Sequence, residues 1–267
     1  MDVKRVLTAV LGLPIVLLVI IFGNEILMNV VFTAIAIICM HEYLGAIGKI
    51  ANPIKWIAYL STLSIAVVSF ISFDLLMKAI VLAIPIILLI LFLKVIISDM
   101  KSDLKDVAYT FLGIFYITFF MMFLALIRGL EFGRTYIGYT LVVAWATDIF
   151  AYAIGKRFGK HKFSKVSPKK SIEGCVSGAL GAVLCSIIYI LVMKNFVNID
   201  ISYVHICVMS LILSVISQIG DFVASSIKRF VDVKDYSNLL PGHGGMLDGI
   251  DSLIFIAPFV YMFLIMI

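Results

Sequence analysis

The sequence predicts an all-α, polytopic integral membrane protein with about nine transmembrane helices and a cytoplasmic N-terminus. Of its 267 residues, 63% are hydrophobic and only 14% are charged, and the mean hydropathy is +1.16. Soluble domains average roughly 45–50% apolar and 25% charged residues, so this chain has too few polar residues to cover a water-facing surface. Long uncharged apolar segments also recur along its whole length. The apolar excess is therefore expected to face lipid.

Nine apolar segments define the expected helices. About 20 apolar residues cross a hydrocarbon core of roughly 30 Å, and the shorter segments reach that length by extending past one polar residue such as His41, Lys78 or Asp148. The segments are Val6–Asn24, Ile26–Met40, Trp56–Phe73, Leu75–Leu93, Val107–Ile127, Thr135–Thr147, Gly174–Met193, Ile201–Gly220 and Ser252–Ile267. We predict a single membrane domain over 1–267, with N-terminal helices in 1–135 and catalytic helices and cytoplasmic loops in 136–267.

The basic residues predict the orientation. With the N-terminus inside, seventeen of the 21 lysines and arginines fall in the inner segments and four on the outer side. This bias follows the positive-inside rule and places the polar loops at the cytoplasmic face of the cell membrane. The sequence pI of about 8.9 therefore reflects topology, and no nucleic-acid partner is expected.

The first large inner loop reads WATDIFAYAIGKRFGKHKFSKVSPKKSIEG. Asp148 lies seven residues before Lys156, about 10 Å below the helix end. A carboxylate at that depth should face the bundle interior, a metal or a wet cavity, although an ion pair or hydrogen bond across helices is an alternative. The seven basic residues from Lys156 to Lys170 can bind phosphate near the helix that opens at Glu173, or serve as a topogenic loop that contacts anionic headgroups.

The second inner loop, QIGDFVASSIKRFVDVKDYSNLLPGHGGMLDGIDS, contains five aspartates, three of which border apolar segments. Asp221 ends the eighth apolar segment, and Asp248 and Asp251 begin the ninth, three residues apart and hence on one helix face. Asp148, Asp221 and Asp248 are thus expected on three different helices at a similar depth near the inner surface. Such oxygen ligands suit Mg²⁺, and no cysteine or paired histidine accompanies them to favour a softer metal.

Basic and glycine residues surround these aspartates. Lys228, Arg229 and Lys234 suggest a site that holds a polyphosphate as well as a metal. Gly244-Gly245 allows the backbone to approach a ligand closely, and His243 can donate to phosphate, orient a neighbour or cap a helix. His41-Glu42, at the inner end of the second segment, can be functional or structural, and we favour a structural helix-end role.

The stretch SSIKRFVDVKDYSNLLPGHGGMLDGID resembles the motif of the phosphatidate cytidylyltransferases, also called CDP-diacylglycerol synthases. That pattern is Ser-x-apolar-Lys-Arg, four residues, Lys-Asp, a spacer to Pro-x-His-Gly-Gly, two residues, then Asp-Arg-apolar-Asp. The matching positions are Ser225, Ile227, Lys228, Arg229, Lys234, Asp235, Ser237, Pro241, His243, Gly244, Gly245, Asp248 and Asp251, whereas Gly249 replaces the arginine. The earlier loop matches at Asp148, Ala151, Tyr152, Gly155, Ser167, Pro168, Lys169, Lys170, Ser171, Glu173 and Gly174, so the resemblance covers at least 141–252.

The resemblance implies Mg²⁺-dependent transfer from CTP to phosphatidic acid, giving CDP-diacylglycerol and pyrophosphate in phospholipid biosynthesis. The metal ligands would be Asp221 and Asp248, with Asp148 and Asp251 as further ligands or supporting groups. Phosphates would be held by Lys169, Lys170, Lys228, Arg229 and Lys234, with His243 among the catalytic residues and Gly244 and Gly245 close to the ligand. Ser167 and Glu173 would shape the nucleotide side. A second metal or a monovalent cation stays open, and the family suggests a homodimer.

Two other functions compete with this interpretation. A cytidylyltransferase acting on a polyprenyl or ether-lipid phosphate would need the same headgroup chemistry. A cation-coupled transporter would also show an intramembrane carboxylate such as Asp148, but the polar residues cluster at one face and no internal repeat is visible. The CDP-alcohol phosphotransferases are excluded, because no Ala-Arg follows Asp248-Gly249.

Overall fold

A computed structural model describes residues 3–98, 102–162, 167, 170–242 and 244–266, with the side chains of 3–11 and 13 outside that description. These residues form ten α-helices and no β-strand. The helices are α1 (Val3–Phe22), α2 (Glu25–Ile47), α3 (Lys55–Leu63), α4 (Phe73–Ile97), α5 (Leu104–Gly113), α6 (Phe120–Gly129), α7 (Gly133–Phe158), α8 (Ile172–Met193), α9 (Tyr203–Phe230) and α10 (Met246–Met266). A 3₁₀ segment (Ser64–Phe70) extends α3, and a π-helical segment (Ile114–Phe119) joins α5 to α6.

Seven helical segments of the described chain are long and apolar enough to cross a membrane. They are α2, α4, the continuous helix Leu104–Gly129, α7, α8, α9 and α10, whereas Lys55–Phe70 is a shorter apolar helix. The predicted all-helical membrane architecture is thus confirmed. The count of nine spans and the cytoplasmic N-terminus stay predictions.

Helix α4 shows most clearly why the chain requires lipid. Its mean hydropathy over the most apolar window is 3.2, yet only 11% of that window is buried inside the protein. Val81, Leu82 and Leu89 are among the large side chains that it exposes. A soluble protein rarely exposes a contiguous apolar surface of this kind, and hydrocarbon chains solvate it without cost.

The chain divides into two compact units, the first made of Met1–Gly129 and Val231–Gly249. Helix α2 supplies much of its core, including the fully buried Met40 and Tyr43. The Tyr43 hydroxyl donates to the carbonyl of Tyr109 at 3.0 Å. Gly113 permits this approach of α5 to α2, because a Cβ there would lie 2.5 Å from the Tyr43 ring.

The second unit comprises Leu130–Phe230 and Ile250–Ile267. Helices α7 and α8 pack closely at Gly178, where a Cβ would lie 2.8 Å from the carbonyl oxygen of Thr147. Small residues allow such close helix contacts in membranes. Buried hydroxyls join α7 to α9, with Thr147 donating to Ser214 at 2.8 Å and Tyr139 bonded to Ser210 at 2.9 Å. This packing fixes the rotation of the helices that carry Asp148 and Asp221.

Candidate active site

Three aspartates of the second unit form an acidic cluster, which consists of Asp148 on α7, Asp221 on α9 and Asp251 on α10. Asp251 is buried, with 6% of its surface exposed, and interacts electrostatically with both other carboxylates. Asp221 is half-buried, and Asp148 is exposed. Because three like charges repel one another in a poorly solvated region, the acidic cluster favours a bound cation.

Two lysines partly neutralise the acidic cluster. The ammonium group of Lys170 forms an ion pair with Asp221 Oδ2 and lies 4.2 Å from the centre of the Phe222 ring. Lys228, with only 8% of its surface exposed, interacts electrostatically with Asp251. A carboxylate between a lysine and another carboxylate can release the ammonium group and bind a metal ion instead. Alternatively, the ammonium group can bind the carboxylate and a phosphate at the same time.

The backbone before α8 places Lys170 within reach of Asp221. Ser171 caps α8 by accepting from the Gly174 N–H at 3.1 Å. Helix α7 approaches this cap at Gly155, where a Cβ would lie 3.1 Å from the Ser171 hydroxyl. Helix α8 begins at Ile172, one residue before the start at Glu173 that the sequence predicts. Gly155 allows this contact, because a Cβ there would also lie 3.2 Å from Gly174 Cα.

Glu173, in the first turn of α8, contacts His161, which follows α7. Its Oε1 lies 2.7 Å from His161 Nδ1, and its carboxylate also accepts from the His161 backbone N–H at 3.2 and 3.3 Å. The pair is largely exposed on the histidine side. Glu173 thus holds His161 beside the start of α8.

Oxygen donors of the acidic cluster suit a magnesium ion. Within the described residues, no three Asp, Glu, His or Cys side chains are close enough to hold a metal by themselves. Mg²⁺ commonly takes only one or two carboxylates and completes its octahedron with water and substrate phosphates. Asp221 with Asp148 or Asp251 fits that requirement, whereas an all-protein cage does not fit.

The first unit contains the predicted motif segment, which we define as Ser237–Leu247. Asp248, directly after it, accepts from the backbone N–H groups of Tyr236 at 2.8 Å and Gly245 at 2.9 Å, both through Oδ2. Gly244 adopts a φ of +99°, which is the left-handed region that glycine tolerates.

The structure brings together only some of the predicted site residues. Asp148, Asp221, Asp251, Lys170 and Lys228 meet in the second unit. Among the others, Arg229 and Lys234 are exposed and Ser167 is half-buried, its carbonyl accepting from the Lys170 N–H at 3.1 Å. Lys169 and His243 lie outside the described residues.

Glu42, for which the sequence favoured a structural helix-end role, contacts the motif segment directly. It is buried, with 5% of its surface exposed, and it accepts hydrogen bonds from the motif segment at Ser237 Oγ (2.6 Å), Met246 N (2.9 Å) and Leu247 N (2.8 Å). One signal could have identified it, because a carboxylate inside an apolar helix is costly unless it has a specific partner.

Comparison with known proteins identifies the family. The chain matches the cytidylyltransferase family over residues 3–267. It is 35% identical to the phosphatidate cytidylyltransferase of Staphylococcus saprophyticus over 274 residues, covering 98% of this chain and 99% of that one. It is 39% identical to that of Bacillus subtilis over 180 residues, 67% of this chain and 65% of the relative. The protein of Staphylococcus haemolyticus is 36% identical over 171 residues, 64% of each chain.

This chain therefore belongs to the cytidylyltransferase family, and it is a membrane-embedded nucleotidyltransferase. The match to the S. saprophyticus protein spans nearly the whole of both chains, whereas the other two matches cover slightly less than two thirds of the relatives. The family resemblance predicted from the two inner loops is confirmed.

Proposed function

We propose that the protein transfers the cytidylyl group of CTP to phosphatidic acid, forming CDP-diacylglycerol and releasing pyrophosphate. One observation supports this most directly. The Lys170–Asp221 ion pair joins the SPKKS loop to the acidic motif of α9, so a phosphate-binding group and a metal-binding group share one place. The relatives that align with the chain are named for the same activity.

The chemistry explains why the acidic cluster needs lysines. The phosphomonoester of phosphatidic acid has a second pKa of about 6 and is largely dianionic near pH 7. Its oxygen is already a competent nucleophile, so no strong general base is needed. The barrier comes from bringing two anions together and from the charge that develops on the departing pyrophosphate. Positioned cations lower that barrier because they stabilise charge most strongly in the transition state.

Magnesium, when bound, would neutralise phosphate oxygens and assist departure of pyrophosphate. We assign Asp221 as its main protein ligand, with Asp148 and Asp251 as further ligands or supporting groups. Lys170, released from Asp221, would hold a phosphate of CTP. Lys228, which interacts with Asp251, would limit repulsion within the acidic cluster. A second metal or a monovalent cation is compatible with the three carboxylates.

The remaining motif residues are assigned within their own units. We propose that the exposed Arg229 contributes positive charge in the second unit and that the exposed Lys234 does so in the first. Gly244 and Gly245 would present backbone to the ligand, and Asp248 would hold their turn through Oδ2. The roles of Lys169, Ser167, Glu173 and His243 follow the family resemblance.

Two contacts inside the first unit support the predicted topology. Asn52 donates from its backbone to Asp106 at 2.6 Å, which joins two loops predicted to lie inside. Arg128 donates to the Gly23 carbonyl at 3.2 Å, which joins two segments predicted to lie outside. We propose nine spans, a cytoplasmic N-terminus and a cytoplasmic-face site in the plasma membrane. Cysteine accessibility at positions 52 and 128 from either side of sealed vesicles tests this orientation.

A lipid-product assay tests the reaction itself. The purified protein in detergent should convert CTP and phosphatidic acid to CDP-diacylglycerol, detected by mass spectrometry. A chelator should abolish turnover and added Mg²⁺ should restore it, because anionic substrates alone would repel the acidic cluster. Polyprenyl and ether-lipid phosphates serve as competing acceptors, and a preference for either would replace the proposed lipid substrate. Product formation without sealed vesicles rules out a requirement for transport.

The homodimer is a further proposal that follows the family resemblance. Chemical crosslinking in native membranes, followed by purification and mass determination in detergent, tests it. A monomer under both conditions would remove the dimer from the description of this protein.

A further inference from the structure

Glu42 holds the motif segment through three hydrogen bonds that involve both of its carboxylate oxygens. Oε1 accepts from Ser237 Oγ at 2.6 Å and from Met246 N at 2.9 Å, and Oε2 accepts from Leu247 N at 2.8 Å. The glutamate and the segment are about 200 residues apart in the chain but belong to the same compact unit. Hydrogen bonds to a charged group are stronger than neutral ones, so this contact constrains the segment firmly.

The hydrogen bonds replace a helix cap that the local sequence does not supply. The first N–H groups of a helix lack intrahelical partners and are usually capped by a Ser, Thr, Asp or Asn just before the helix. Gly245 occupies that position before α10 and has no side chain. Glu42, reaching across from α2, accepts from the first two N–H groups instead, and its negative charge lies at the positive end of the helix dipole.

Gly245 cannot be exchanged for a capping residue in this arrangement. A Cβ at Gly245 would lie 2.7 Å from Glu42 Oε2 and 2.8 Å from its other carboxylate atoms. The backbone thus rests directly on the carboxylate. The turn is fixed further by paired backbone hydrogen bonds between Leu240 and Gly244, at 2.8 and 3.1 Å, and by the bond from Gly245 N to Asp248.

The positioned segment also borders a cavity of about 650 Å³ in the same unit. Its lining includes Ser237 and Leu239 from the segment, His41 and Glu42 from α2, and Tyr59 from α3. A substitution of Glu42 would therefore alter the wall of this cavity as well as the packed interior of the unit.

We propose that Glu42 is a positioning residue for the reaction: it sets the backbone of the motif segment, including Gly244-Gly245, in the conformation that the substrates require. The proposal rests on the proposed function, since the segment is part of the family motif.

The test compares Glu42→Gln with Glu25→Gln, an exposed glutamate on the same helix. The amide that replaces the Glu42 carboxylate has one acceptor oxygen and would turn its NH₂ group toward a backbone donor. We expect kcat to fall at least about tenfold, because small misplacements of substrate-positioning groups are costly. Hydrogen–deuterium exchange should rise at the amides of residues 244–247 and stay unchanged in α4, and Glu25→Gln should match the parent protein in both measurements.

Two further variants separate positioning from general stability. Ser237→Ala should reduce kcat less than Glu42→Gln, and the double variant should be no worse than Glu42→Gln alone, because both remove the same contact. Glu42→Asp, which retains the charge, should recover part of the exchange protection. Unchanged kcat in Glu42→Gln, or faster exchange throughout α2 and α5, would overturn the proposal. Exchange needs no substrate, so a protein inactive toward phosphatidic acid would refute the proposed function without affecting this result.

Discussion

The carboxylates of the two units have opposite surroundings. In the first unit, Glu42 and Asp248 accept from backbone N–H groups at 2.8–2.9 Å. In the second unit, Asp148, Asp221 and Asp251 interact with one another and with lysines. A carboxylate bonded to rigid amides holds a backbone in place, whereas one paired with a flexible ammonium group can exchange that partner for a metal or a phosphate. We therefore expect the same chemical group to serve positioning in one unit and ligand binding in the other.

The largest effect is expected where the acidic cluster loses its central carboxylate. Asp221→Asn removes the partner of Lys170 and one metal ligand, so turnover should fall by roughly 100-fold or more, as when a key electrostatic group is deleted. The product assay measures this, with membrane insertion and melting temperature unchanged. The matched control is Asp74→Asn, an exposed carboxylate paired with Lys78 at 2.6 Å. Normal CDP-diacylglycerol formation by Asp221→Asn would show that the metal assignment is wrong.

A second substitution tests whether Lys228 compensates the buried charge of Asp251. Lys228→Met leaves Asp251 without its compensating charge, so stability should fall by about 3 kcal/mol. Adding Asp251→Asn should recover much of that loss, because the uncompensated charge is then removed. Thermal unfolding of both variants in detergent measures the effect. If the double variant is less stable than Lys228→Met, the two side chains are not a compensating pair.

The third prediction concerns glycine contacts in the first unit. Gly245→Ala places a Cβ 2.7 Å from Glu42 and should destabilise the protein by about 1–3 kcal/mol through overpacking. Gly249→Ala is the control, since its nearest neighbour is Leu240 Cδ1 at 3.5 Å, an ordinary contact. Melting temperatures and kcat of the two variants give the comparison. Equal behaviour of both would mean that the turn adapts and that Glu42 does not fix it.

The smallest effect is expected at the position that departs from the family pattern. Gly249 is exposed and has room for a side chain, so Gly249→Arg should fold normally. Exposed charge interactions contribute about 0–1 kcal/mol, so the KM for CTP should fall by no more than about fivefold. Steady-state kinetics with CTP measure this. A much larger gain in kcat/KM would show that the natural chain works without a full phosphate clamp.

The aspartates of α10 illustrate where sequence reasoning ends. Asp248 and Asp251 lie three residues apart, and the family resemblance implied that Asp248, together with Asp221, binds the metal, with Asp251 as a further ligand or supporting group. The structure buries Asp251 among the other carboxylates and gives Asp248 two backbone donors. Two residues on adjacent parts of one helix face cannot be ranked from spacing alone, because the rotation of that helix depends on its neighbours. The metal role of Asp248 stays a prediction.

Glu42 illustrates the same limit over a longer distance. Its position in an apolar helix marks it as unusual, but nothing near it in sequence names its partner. The hydrogen bonds to Met246 and Leu247 span about 200 residues, and they exist because the residue before α10 is a glycine that cannot cap it. A missing local cap is visible in the sequence, whereas the residue that replaces it is not.

Membrane residence, the helical segments, the polar inner loops and the family were all readable from the chain, because hydropathy and motif spacing are local properties. Only the folded structure determines which carboxylates contact lysines and which contact backbone N–H groups. These contacts depend on helix rotation and on close packing at glycines such as Gly178 and Gly113, where the absence of a Cβ brings neighbouring helices together. Helix contacts of this kind are set by the shapes of several segments at once, so no single stretch of sequence contains them.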